Sequence, residues 1–270
     1  MNDIAPFVID DSSRPRITVR GPSGERFLQG FCTADVTKLE SDGTCEAFFP
    51  TQKGRVLAYG VVAKDESGFE IALSATDGRP LLEHLHKYAA IEAVEVALSA
   101  GSPCFLELST ANAATPDGAR RWPFAGGRLV EWRTERPSTA GLDAWDTFRI
   151  RHGIPLVGQD LTEKNIVQEA ARTAWAVSFE KGCYLGQEPI ARLDAMGHTN
   201  RELRVLELDA GAVPRPGDAV VFEGAAVGEV TSVAVTEAGT FALALLRTAA
   251  NEPGTVVHVA GGDATVRAPT

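Results

Sequence analysis

Alternating and helical hydrophobic patterns follow one another through the first hundred residues. Ile17 and Val19 alternate with polar neighbours before a Gly-Pro stop, which predicts a strand. Apolar residues at helical spacing predict two helices, one capped by Ser23 and one over residues 78–96. Between them, the pattern predicts two strands joined by the turn Thr51–Gly54, and then a third strand. The first hundred residues are therefore predicted to alternate short strands and helices.

Predicted strands and helices continue through the middle of the chain and give way to short β runs near residue 201. Strands are predicted at 103–109 and 127–133, and a helix at 141–155. Beyond residue 201, five short apolar runs separated by glycine and proline turns predict a small closed or sandwich-like β domain. These boundaries divide the chain into three units: 1–102, 103–200 and 201–270.

The charge balance limits the classes of partner. Twenty-six basic and 36 acidic residues give a net charge of −10. Proteins that bind duplex DNA or anionic membranes carry a basic face, so nucleic-acid and membrane partners are disfavoured and only a local basic pocket is compatible. No apolar run approaches the ~18–20 residues of a membrane span, and the acidic N-terminus lacks signal-peptide features. A cytoplasmic location with reduced cysteines is therefore expected.

The four cysteines are too dispersed to predict a metal centre. They are separated by 13, 59 and 79 residues and contain no CxxC pair, so no permanently bound metal is expected. Cys32, Cys45 and Cys104 lie in apolar runs and are predicted to be core thiols.

Cys183 differs from the other cysteines because it lies in the polar, glycine-rich stretch KGCYLGQEP. Lys181 would favour a thiolate here, whereas Glu180 and Glu188 oppose it. No histidine follows until His198, which gives a Cys–His dyad little local support. The chemistry of these residues alone leaves a functional and an incidental thiol equally open.

The stretch KGCYLGQEPIAR resembles the K-G-C-Y-x-G-Q-E signature of the YgfZ family. These folate-binding proteins are associated with the maintenance of iron–sulfur enzymes, and they are related to the aminomethyltransferase (T-protein) of the glycine cleavage system. Three further stretches resemble family segments: FLQGFCTADV, AFFPTQKGRVLAYGVV and FRIRHGIPLVGQDLTE. The resemblance extends from about Arg16 to the end of the chain.

The resemblance implies an α+β fold in which ferredoxin-like subdomains form a ring that is closed by a C-terminal β-barrel. It also implies a tetrahydrofolate cofactor between the two α+β units, with iron–sulfur client or assembly proteins as partners. Cys183 and Lys181 would be the catalytic residues. The motif residues that shape the loop or contact a partner would be Gly182, Tyr184, Gly186, Gln187, Glu188 and Arg192. The folate contacts would be Arg149, Arg151 and Glu169.

Departures from the transferase pattern bear on the reaction. Ala58 and Tyr59 stand where the transferases carry an acidic pair, and neither side chain is negatively charged at pH 7. Arg151 stands where the transferases read the pterin with a glutamate, so folate would be held differently.

Three hypotheses follow from these departures. The first is a tetrahydrofolate-dependent factor for assembly or repair of iron–sulfur proteins that uses Cys183. The second is a folate-dependent one-carbon enzyme, an aminomethyl or methyl transferase or a demethylase. The third is a folate-binding or docking module in which Cys183 is incidental. Gln187 and Glu188 have a structural interpretation as well, as the start of a helix with Pro189 in its first turn.

Overall fold

The N-terminal part of the chain forms a five-stranded antiparallel sheet covered by two helices. The computed structural model describes residues 4–99, 102–109, 114–124, 127–197 and 199–270. The first elements are β1 (Phe7–Asp10), β2 (Arg16–Arg20), α1 (Gly24–Gln29), β3 (Thr44–Pro50), β4 (Val56–Asp65), β5 (Gly68–Leu73), α2 (Arg79–Ala89) and β6 (Glu95–Leu98). The sheet order is β3-β4-β5-β2-β6. Without the edge strand β3, this is the order of a ferredoxin-like β-α-β-β-α-β unit, as the resemblance implied.

The predicted helix over 78–96 is too long. Helix α2 ends at Ala89, and Glu95–Leu98 instead pairs with β2 as an edge strand. Ile91 is 91% exposed between the two elements, so the apolar pattern there does not mark a buried helical face. The tertiary pairing with β2 decides this segment, which local periodicity could not show.

The two faces of the first sheet pack against different layers because successive strand residues point to opposite sides. Ala58 of β4 lies in the core beneath α1 and α2, whereas its neighbour Tyr59 lies in a central core shared with the rest of the molecule. Both side chains are buried. The positions that replace the acidic pair of the transferases are therefore packing positions in this chain.

A second sheet contains the N-terminal strand as well as strands from the middle of the chain. The middle of the chain forms the strands β7 (Phe105–Ser109), β8 (Ala119–Arg121) and β9 (Arg128–Trp132) of this sheet. It also forms the helices α3 (Leu142–Arg151), α4 (Thr173–Ala176) and α5 (Gln187–Met196). The order is β1-β7-β9-β8. Strand β1 pairs antiparallel with β7, so Phe7–Asp10 belongs with the second sheet although the sequence analysis grouped it with the first unit.

The C-terminal unit is a closed six-stranded barrel. Its strands are β10 (Arg201–Leu208), β11 (Ala219–Phe222), β12 (Ala225–Thr236), β13 (Gly239–Arg247), β14 (Val256–Val259) and β15 (Gly262–Arg267). They close in the order β10-β13-β12-β11-β14-β15. Aliphatic side chains from alternate positions fill the barrel, and a second apolar cluster on its outer surface receives Ile150 of α3.

An irregularity in β12 joins the barrel to α3. The register shifts between Val230 and Ser232, and the hydroxyls of Thr231 and Ser232 both donate to Asp160, at 2.5 and 2.6 Å. Asp160 in turn accepts from the Arg149 guanidinium at 2.8 Å. A buried polar connection thus fixes the position of the barrel relative to the second unit.

The α+β class with a C-terminal barrel is confirmed. Among the described residues, no helix is long and apolar enough to cross a membrane.

Candidate functional site

The Cys183 loop is anchored on one side by the buried side chain of Lys181. The Lys181 ammonium donates to three backbone carbonyl oxygens, those of Gln29 (2.8 Å), Cys32 (2.8 Å) and Ala34 (2.6 Å). Burial lowers the pKa of Lys181. Three short contacts use all three ammonium hydrogens, so Lys181 ties the motif to the segment that follows α1. From the sequence, Lys181 was expected to favour a Cys183 thiolate. In the structure, its ammonium donates to the three backbone carbonyls instead.

The other side of the loop is anchored by Tyr184, Leu185 and Gly186. The Tyr184 ring is buried in the central core and lies 5.1 Å from the Lys181 ammonium. The backbone N–H of Leu185 donates to the carbonyl of Gly30 at 2.9 Å. Gly186 has φ +79°, and a Cβ there would stand 2.3 Å from the carbonyl oxygen of Thr51. Only glycine fits this contact.

Cys183 is exposed between these two sets of anchors. Its neighbour Gly182 is also exposed, and a Cβ at Gly182 would meet nothing within 4 Å. The exposure expected from the sequence is therefore observed. The arrangement presents one thiol to solvent from a loop whose flanks are fixed, which suits a side chain that must meet a reaction partner.

The remaining motif residues lie at the beginning of α5. The N–H of Gln187 donates to the carbonyl of Tyr184, and Glu188 occupies the exposed first turn of the helix. Arg192 is exposed, and no carboxylate among the described residues lies within 4.0 Å of it. The helix also packs closely on the hairpin turn, since a Cβ at Gly54 would stand 3.1 Å from the Pro189 ring. These positions agree with the structural interpretation of Gln187 and Glu188 and leave a partner-contact role untested.

The other three thiols are inaccessible or half-buried. Burial raises the pKa of Cys32 to about 11, and the thiol donates to the carbonyl of Ala34. Cys45 is half-buried. Cys104 is fully buried and its pKa is raised to about 12, first by burial and then by Glu131. It contacts the Arg16 guanidinium at 2.7 Å, so it lies beside a buried ion-pair network rather than in a purely apolar core.

The described residues contain no cluster of three or more His, Cys, Asp or Glu side chains that could hold a metal ion. His198, the histidine that follows Cys183 in the sequence, lies outside the described residues. Elemental analysis of the purified protein after dialysis tests the expectation that no metal is permanently bound.

A buried ion pair occupies the centre between the first sheet and the segment before the motif. Arg172 donates to both oxygens of Glu46, at 2.6 and 2.7 Å, and the Tyr59 hydroxyl donates to Glu46 at 2.5 Å. Each of these side chains is at most 1% exposed. Burial, followed by the charge of Glu46, raises the pKa of Tyr59, so the tyrosine stays neutral. This pair was not predicted from the sequence, because 126 residues separate its members and neither lies in a recognisable motif.

The three residues expected to contact folate each have protein partners. Arg149 donates to Asp160 and Ser232 in the buried connection to the barrel. Arg151 stacks on Phe241 of the barrel at 4.5 Å. Glu169 is buried as well, and its carboxylate accepts from an asparagine at 2.7 Å and from an arginine of β10 at 3.0 Å.

The space expected for folate between the two α+β units is filled by side chains. Aromatic rings from β3, β4, α3 and the loop before β9 form the continuous central core there: Phe48, Tyr59, Trp122, Phe124, Trp145 and Phe148. Each of them is less than 9% exposed. Close-packed rings leave no space for a pterin within this core.

Comparisons with known proteins agree with the architecture. The profile of the glycine cleavage T-protein C-terminal barrel domain matches residues 201–269. The crystal structure of the glycine cleavage system aminomethyltransferase T from Bartonella henselae superposes with a TM-score of 0.80, at 19% identity. The match covers 97% of this chain and 85% of that one. At this identity the likeness shows the fold alone.

Two curated relatives are named for iron–sulfur cluster assembly and for tRNA modification. The mitochondrial iron-sulfur cluster assembly factor IBA57 homolog of Pyricularia oryzae is 30% identical over 71% of this chain and 54% of its own length. The tRNA-modifying protein YgfZ of Shigella dysenteriae is 25% identical over 74% of this chain and 72% of its own. The matches thus span between about half and three quarters of these relatives. With its cysteine motif, its barrel and these relatives, the chain belongs to the family of YgfZ and IBA57 proteins, which is related to the glycine cleavage T-protein.

Proposed function

We propose that this protein serves the assembly or repair of iron–sulfur proteins and that Cys183 is the group that acts on the client. The observation that carries the proposal is the contrast within the motif: Lys181 and Tyr184 are buried anchors, and Cys183 between them is exposed. A thiol that only packs in the core does not require an exposed position between two buried anchors. Two curated relatives are named iron–sulfur cluster assembly factors, and these names support the same role.

A single presented thiol restricts what the protein does to a client. As a thiolate it supplies one sulfur ligand to a cluster iron, attacks a damaging group, or accepts a one-carbon or sulfur unit. Cys183 is the one exposed thiol among the described residues, since Cys32 and Cys104 are buried and Cys45 is half-buried. In each of these reactions the client must therefore supply the remaining ligands or the leaving group.

Rescue of iron–sulfur enzyme activity in cells that lack the protein tests the role of the thiol. We expect Cys183→Ala to abolish rescue while the purified variant keeps its thermal stability. Cys104→Ala is the matched control, and we expect it to lower stability and to spare rescue. Full rescue by Cys183→Ala at equal protein level would refute a functional thiol and would favour the docking module.

Tetrahydrofolate is part of the proposal because of the family resemblance, and its binding is tested apart from the thiol. No contact among the described residues marks a pterin pocket, so no step of the mechanism depends on folate. Binding would require a different place or a rearrangement of the central core. We expect heat in calorimetry and a raised Tm with tetrahydrofolate, because a ligand selective for the native state stabilises it. Neither effect at millimolar ligand would remove folate from the function.

A one-carbon transferase is the second candidate, favoured by the fold shared with an aminomethyltransferase. Against it, Ala58 and Tyr59 replace the acidic pair, and the one carboxylate near Tyr59, that of Glu46, is paired with Arg172. A turnover assay with tetrahydrofolate and methylamine donors separates the two candidates. Release of formaldehyde equivalents or methylene-tetrahydrofolate at enzymatic rates would establish the transferase.

A further inference from the structure

A basic cleft lies on the surface beside the hairpin turn Thr51–Gly54. It encloses about 730 Å³. Four cationic side chains line it: Lys53, Arg55, Lys87 and Lys164. One carboxylate, that of Glu163, is also in the lining. Four cations against one carboxylate leave a local excess of positive charge on a protein whose net charge is −10.

These four cations stand out because they lack ion-pair partners among the described residues. In that part of the chain, 16 of the 26 lysines and arginines have a carboxylate oxygen within 4.0 Å. The cleft gathers four of the ten that do not. All four are exposed, so their charges are accessible to a ligand. An anionic ligand in the cleft would supply the counter-charge that the described residues do not.

An aromatic wall closes one side of the same cleft. His84 and Tyr88 line it, with ring centroids 5.4 Å apart, and Phe31 packs behind Tyr88 at 4.7 Å. Burial lowers the pKa of His84, and its Nε2 is buried without a hydrogen-bond partner among the described residues. Aromatic rings beside unpaired cations are the combination on which nucleotides bind, with the base against a ring and the phosphates against the cations.

The cleft and the Cys183 loop share the hairpin turn. The turn residues Thr51, Gln52 and Lys53 line the cleft, and the carbonyl of Thr51 also bounds the space that only glycine can fill at Gly186. Gly54 packs against the first turn of α5. A ligand in the cleft would therefore contact the turn that supports the motif.

We propose that this cleft binds the phosphate groups of a nucleotide or of an RNA strand. Phosphate suits the lining because each phosphate of a strand or nucleotide carries at least one negative charge and because arginine and lysine are the common partners of phosphate. The proposal does not depend on the function proposed for Cys183, since it rests on a different set of side chains.

Binding assays with defined probes test it. The probes are inorganic pyrophosphate, adenosine diphosphate and a fluorescent single-stranded RNA pentamer, titrated at 50 and 200 mM salt. We expect the double variant Lys53→Gln/Lys87→Gln to bind at least about tenfold more weakly. With the RNA, we expect its salt slope to fall by roughly one to two. The matched control is Arg215→Gln/Arg247→Gln, which removes two exposed cations of the barrel that are equally unpaired among the described residues.

The relative affinities of these probes distinguish RNA from a free nucleotide as the source of the phosphate. RNA that binds more than about tenfold tighter than adenosine diphosphate assigns the cleft to RNA, and equal affinities assign it to a free nucleotide. Absence of binding by every phosphate probe at millimolar concentration would overturn the proposal. So would an equal loss in the control variant, or tight binding of a triglutamate peptide with no binding of the phosphate probes.

Discussion

Replacing Lys181 by Met distinguishes an anchoring role from a thiolate-stabilising role. The substitution keeps an unbranched apolar stem and removes an ammonium that donates to three carbonyls at 2.6–2.8 Å. Hydrogen bonds from a charged donor contribute about 1.5–3 kcal/mol each, or roughly 5–9 kcal/mol in total. Burying the ammonium costs several kcal/mol in the opposite direction, as the lowered pKa of Lys181 indicates. We expect the free energy of unfolding to fall by about 2–4 kcal/mol.

Urea unfolding followed by circular dichroism at pH 7.5 measures this change. Arg192→Met is the matched control, since it removes an exposed cation of the same motif, and we expect it to stay within ~0.5 kcal/mol. The second measurement is the rate at which iodoacetamide labels Cys183, read by peptide mass spectrometry. A loss of stability below about 1 kcal/mol together with labelling slowed tenfold would refute the anchoring role. It would return Lys181 to the role that the sequence first suggested.

Three further predictions concern single positions. Cys104→Ala should lower the free energy of unfolding by about 1–2 kcal/mol in urea, because it removes one of several partners of the buried Arg16 guanidinium, whereas Cys183→Ala should change it by less than ~0.5 kcal/mol. Gly186→Ala should cost about 2 kcal/mol or more and Gly182→Ala almost nothing; equal effects in thermal melts would contradict the contact geometry. Burial lowers the pKa of His152, so the unfolded chain takes up the proton first, and stability should fall below about pH 6.5 by at most ~1.4 kcal/mol per pH unit. An unchanged slope in His152→Phe would contradict that assignment.

Local patterns determined the classes and most of the positions of the elements. The alternation at Ile17 and Val19 marks a strand, and the glycine and proline turns after residue 201 mark the barrel. The cysteine motif determined the family, because a long run with a specific order of residue types carries its information without tertiary context. These features depend on neighbours in the sequence, which is why the sequence was sufficient.

Tertiary structure alone decided how the candidate site is held together. The carbonyls that bind Lys181 lie 147 to 152 residues away in the chain, and Glu46 meets Arg172 across 126 residues. No local pattern marks such pairs, since each member is an ordinary polar residue until folding brings it to its partner. The role of a charged residue is also not evident from the sequence. A buried cation with carbonyl or carboxylate partners has the same sequence signature as a cation that stabilises a thiolate or binds a ligand. What separates them is which groups lie within about 3 Å, and only the packed chain determines that.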